Sequence, residues 1–86
     1  MVINRTKYII FDSGLNDEIV IFSDMQEHAH IARGLGMIVS AGFISIGFNE
    51  DGQLDASCFG KSVSLDVESR PEIDSKIARK ALGFDQ

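Results

Sequence analysis

The hydrophobic pattern along the chain changes period several times, and each change marks an expected element. Lys7–Asp12 and Glu18–Ser23 are β-branched and aromatic runs separated by Ser13-Gly14-Leu15-Asn16-Asp17. Glycine among small polar residues is turn chemistry, so the two runs are expected to pair as a hairpin. Both are apolar on both faces (Tyr8 and Ile10 against Ile9 and Phe11), which suits strands covered on two sides or lying at an oligomer contact. Asp24 to about Leu35 then repeats at helical spacing, with Met25, His28, Ala29, Ala32 and Leu35 on one face. Ser23 with Gln26, or Asp24 with Glu27, offers a capping box, and Gly34 or Gly36 offers a left-handed stop.

Met37–Phe48 is predicted to be a long strand, with Gln53–Phe59 as its partner across Asn49-Glu50-Asp51-Gly52. A two-residue Asp-Gly loop would pair Phe48 with Asp55 and Ile46 with Ser57, mixing apolar with polar on one face. A three-residue loop ending in a left-handed Gly52 pairs Phe48 with Leu54, Ile46 with Ala56 and Ile44 with Cys58. A slip of one residue turns every side chain to the other face, so the second register is expected, with Phe43 across from Phe59 beside Ser45, Ser57 and Asp55.

Ser62–Glu68 alternates strictly and is predicted to be a strand buried on one face. Ser69-Arg70-Pro71-Glu72 then starts a helix running to Leu82, with Ile73, Ile77, Ala78 and Ala81 inward, Lys76, Arg79 and Lys80 outward, and Gly83 as its stop. The expected architecture is one α+β domain over residues 1–86 in the order ββαβββα. It consists of an antiparallel sheet of four to five strands with two helices on one face.

Charge narrows the functional classes. The chain's formal net charge of −5 lies wholly before Lys61, where eight acids face three bases; the remainder is balanced. Neither a phosphate backbone nor an anionic membrane surface is a natural partner for that distribution, whereas a basic protein surface is. With one cysteine, Cys58, neither an internal disulfide nor a multi-cysteine zinc site can form, and a reducing cytoplasm is the expected compartment. No secretory pattern opens the sequence, and the longest apolar stretch is broken by Ser40 and Ser45.

Candidate chemistry is sparse. Gly60-Lys61-Ser62 resembles the end of a phosphate-binding loop but has Asp55 where the first glycine belongs, and a strand is expected to follow it instead of a helix. His28 and His30 would lie about 200° apart on a helix and cannot share one ion, so His28 is expected to be a hydrogen-bonded core histidine and His30 to face solvent. Cys58 is expected in the core, where a thiol is inert. No catalytic residue, cofactor or metal is indicated. Asp12, Asp17, Glu18, Glu50, Asp51 and Asp55 could gather as an acidic patch at hairpin ends.

Four segments carry a resemblance: Glu27-His28-Ala29 with Ile31-Ala32, Ser40-Ala41-Gly42-Phe43, Gly60-Lys61-Ser62-Val63-Ser64-Leu65, and Ser69-Arg70-Pro71-Glu72. Together they make residues 19–83 look like small accessory proteins encoded by bacteriophages and prophages. That resemblance implies a protein of the bacterial host's cytoplasm that binds and blocks a host protein, as anti-CRISPR inhibitors block a defence complex. The leading expectation is therefore a non-catalytic binding protein. Its partner-binding residues are expected to be Phe43, Phe59, Ser45, Asp55 and Ser57 on the sheet face and Glu50 and Asp51 in the turn. A homodimer is also expected, because the first hairpin is apolar on both faces. The second reading is a small-molecule-binding or enzyme-like domain with a cleft around His28, Ser40 and Asp74.

Overall fold

The computed structural model describes the backbone of residues 2–84 and the side chains of residues 6–84. Its strands are β1 (Val2–Asp12), β2 (Asp17–Phe22), β3 (Met37–Phe48), β4 (Leu54–Phe59), β5 (Lys61–Ser62) and β6 (Val67–Glu68). Its helices are α1 (His28–Ile31), between β2 and β3, and α2 (Pro71–Leu82) at the end. The protein is an α+β fold: β2-β1-β3-β4 form one sheet, antiparallel at every junction, and β5-β6 form a two-stranded ribbon.

The register argument holds through the whole second hairpin. Phe43 pairs with Phe59, Ile44 with Cys58, Ser45 with Ser57, Ile46 with Ala56, Gly47 with Asp55 and Phe48 with Leu54. Asn49 N donates to Gln53 O at 2.8 Å, closing a three-residue loop in which Gly52 has φ +78°. Asn49 Oδ1 adds bonds from the Asp51 and Gln53 amides at 2.9 and 3.0 Å.

Alternation along β3 separates two sheet faces. On the Ile44 face, Tyr8, Ile10, Ile44, Ala56 and Cys58 pack against Ala78 of α2, with Ile19, Ile21, Ile46 and Ile77 around them. On the Phe43 face, His28 of α1 sits edge-on to Phe22 at 5.4 Å and to Phe43 at 6.1 Å between ring centroids. The helices thus lie on opposite faces, not on one. The connection explains this: β2 and β3 both run antiparallel to β1, so residues 23–36 must cross β1, and α1 rides that crossing over the Phe43 face.

The first helix is a single turn, not the expected span from Asp24. Ser23 Oγ accepts the Met25 amide at 3.1 Å and Ser23 O accepts the Gln26 amide at 3.0 Å, a local turn that uses the groups a helix start would need. Met25, expected inward, is 91% exposed. Ser62–Glu68 likewise folds back on itself. Ser62 Oγ accepts the Leu65 amide at 3.1 Å, Asp66 turns at φ +54°, and Val63 is left 84% exposed. Serine hydroxyls, spaced like the polar face of a strand, here make the turn instead.

α2 begins at Pro71 and ends at Gly83 (φ +78°), whose amide bonds the Arg79 and Lys80 carbonyls. Ser69 does not cap it. Asp74 does so from inside the helix, accepting the Arg70 amide at 2.8 Å. The helix is also rotated from its expected orientation: Asp74, Ser75 and Ala78 are buried, while Ile73 is 54% exposed and Ala81 faces outward.

Candidate protein-binding surface

The sheet face named from the sequence is assembled, and the structure changes the weight of its parts. Phe43 and Phe59 stack with centroids 5.9 Å apart and planes at 26°, both half-buried. Ser45 and Ser57 lie beside them as a cross-strand pair, Ser57 exposed. Asp55 is bound up in a local network: its Oδ1 accepts Arg79 Nε at 2.7 Å and the Ala56 amide at 2.8 Å. The Arg79 bond holds its carboxyl below the ordinary range, with burial working against it and the Ala56 amide helping. Glu50 and Asp51 remain exposed in the turn.

The acids do not form one patch. Asp12 pairs with Met37 at one end of β3, whereas Val2 pairs with Gly47 near the other, so Asp12, Asp17 and Glu18 lie at the end of the sheet opposite to Glu50 and Asp51.

Sequence reasoning missed two contributors at the hairpin tip. Phe48 and Leu54, paired on the Ile44 face as the register requires, are 50% and 40% exposed. α2 reaches this hairpin at Asp55, through Arg79, and the tip next to that contact carries an exposed apolar pair beside two acids.

The second reading's residues are not brought together. His28 is buried on the Phe43 face, where its Nε2 lies 2.8 Å from Gly42 O. Asp74 is buried on the other face, accepting Tyr8 Oη at 2.5 Å, Arg70 N at 2.8 Å and Arg70 Nε at 3.0 Å. Ser40 is buried opposite Ile10, its hydroxyl unpartnered among the described residues. Of the three, only His28 lines the open pocket of about 260 Å³ bounded by Lys7, Glu27, Phe43, Lys61 and Ser64. Burial pulls its imidazole below the ordinary histidine range; the Gly42 carbonyl partly restores it and the Lys7 ammonium pulls it lower. Cys58 lies in the core with its thiol pushed up to about 12, first by burial and then by Asp74. Burial, then the Asp74 bond, likewise raises Tyr8 far above the usual phenol range.

Comparison with protein-family models, with curated proteins and with solved structures found no match. Among the described residues no helix is long and apolar enough to cross a membrane.

Proposed function

We propose that this protein is a non-catalytic binding protein that docks onto a basic surface of another protein through the β3–β4 hairpin. In the phage setting that the sequence resembles, the partner would be a host defence complex and the binding inhibitory. The observation that carries the reading is the hairpin tip: exposed Phe48 and Leu54 stand beside exposed Glu50 and Asp51. Apolar anchors next to exposed like charges supply the two things a specific interface needs, slow dissociation and steered encounter. The Phe43–Phe59 stack with Ser45 and Ser57 provides a flat second contact on the other side of the same hairpin. Asp55 supports it from within, through Arg79.

The test uses the full chain as bait in a host lysate, followed by kinetics on the purified partner. Glu50→Gln with Asp51→Asn should slow association several-fold, and raising salt should do the same to the wild type. Phe48→Ala should speed dissociation by roughly tenfold or more. A captured partner whose binding ignores both salt and these three positions would overturn the reading.

A further inference from the structure

The two edges of the sheet are finished differently. Along β4, Ser75 Oγ accepts the Cys58 amide at 2.8 Å and Asp55 Oδ1 accepts the Ala56 amide at 2.8 Å, so α2 and a local carboxylate close that edge. Along β2 the pairing order runs from the Ser13 amide bond to Asn16 O, 3.1 Å. Alternation from there points the N–H and C=O groups of Asp17, Ile19 and Ile21 away from β1. Among the described residues these groups have no hydrogen-bond partner.

The rotation of α2 supplies a second, independent feature beside that edge. Ile73, Ile77 and Ala81 recur at i, i+4 and i+8, forming one stripe. Ile73 and Ala81 of this stripe are exposed, while Ile77 is half-buried and packs against the rim of the core. A groove of about 390 Å³ runs between Ile77, Lys80 and Ala81 on the helix and Asn16 to Ile19 on the chain leading into β2. A strand laid along β2 would find main-chain groups at its side and an apolar stripe beneath it, the two requirements for strand addition.

We propose that this edge accepts an extended segment of a partner protein as an added strand, with apolar residues at alternate positions and Lys or Arg between them. The alternate apolar positions would lie over Ile19, Ile77 and Ile73. The intervening positions would lie on the opposite face, next to exposed Glu18; Asp17, on the Ile19 face, already stands 3.8 Å from the Arg70 guanidinium. Cationic side chains there complement Glu18, whereas a second copy would bring its own Glu18 into the same ladder, where like charges oppose pairing. This surface is separate from the hairpin tip, so the two proposals fail separately.

The experiment titrates the isotopically labelled full chain with an eight-residue synthetic peptide alternating valine and lysine, and reads amide hydrogen exchange residue by residue. The lysine peptide should slow exchange at Ile19 and Ile21 by at least about tenfold. A valine–glutamate peptide at equal concentration should not. Ile73→Gln and Glu18→Gln, both at exposed positions, should each weaken the lysine peptide several-fold, and Phe48→Ala should leave it unchanged. Three results would overturn the proposal: no binding of the lysine peptide, binding that leaves Ile19 and Ile21 unprotected, or protection that grows with the protein's own concentration in the absence of peptide.

Discussion

Tyr8, Arg70 and Asp74 form a polar cluster that ties α2 to the sheet. Asp74 is wholly buried and satisfied by three donors: the Tyr8 hydroxyl and the Arg70 amide and guanidinium. Removing one partner from such a group costs more than the bond was worth, because the remaining groups stay desolvated. Asp74→Ala should therefore lose about 3 kcal/mol. Tyr8→Phe, which leaves the carboxylate its two Arg70 donors, should lose about 1–2 kcal/mol. Both are read from urea midpoints at constant slope. His28 sets a pH dependence. Its folded-state affinity for protons lies below that of the unfolded chain, so the unfolded state takes up the proton first as pH falls. Its contribution is complete above about pH 6.5 and declines as pH drops below that value. Urea midpoints should fall between pH 7 and 5 in the wild type, and this part of the slope should vanish in His28→Gln. That His28 would be a bonded core histidine was readable from its place on an apolar face. Asp74's role was not readable in full, because Tyr8 is 66 positions away and only the fold supplies it.

Among the elements, α2 and the β3–β4 hairpin were legible because their signals are local. Pro71 and Gly83 bound the helix, and the parity of apolar positions admits one register across Gly52. Gly52→Ala should cost about 1 kcal/mol, since its φ is +78° and nothing crowds a methyl group there; the loss is strain alone. Gly42→Ala differs in kind, because its Cβ would meet the Phe59 carbonyl. That carbonyl belongs to backbone and cannot turn aside, so the variant should be much less stable than Gly52→Ala, as thermal melts of the pair would show. Ser75→Ala would leave the Cys58 amide unpaired at the β4 edge, costing about 1–3 kcal/mol. What failed at this scale were the stretches that follow Ser23 and Ser62. Periodicity reports which positions could share a face, but Ser23 and Ser62 spend their hydroxyls on the next backbone amides, and such a turn fits the same pattern.

At the scale of the molecule, α2 covers the centre of the sheet and leaves the β3–β4 tip exposed. Backbone amides under α2, at Tyr8 and Ile44, should resist hydrogen exchange up to the global unfolding free energy. Those around Asn49–Leu54 should exchange through local opening, orders of magnitude faster. Equal protection in both regions would mean that the tip is covered in solution. Charge follows the same geometry, with acids at both ends of the sheet, Asp17 paired with Arg70 and Asp55 with Arg79. The sequence by itself determined the order of the main strands, the register of the second hairpin, the limits of the last helix and the core placement of Cys58 and His28. Each follows from interactions between near neighbours or from face parity. The tertiary structure alone decided which face each helix covers, how far α2 is rotated, and which apolar residues stay bare. Those outcomes depend on the crossing of residues 23–36 over β1 and on a Tyr8–Asp74 bond between distant positions. Neither leaves a local mark in the pattern of residues.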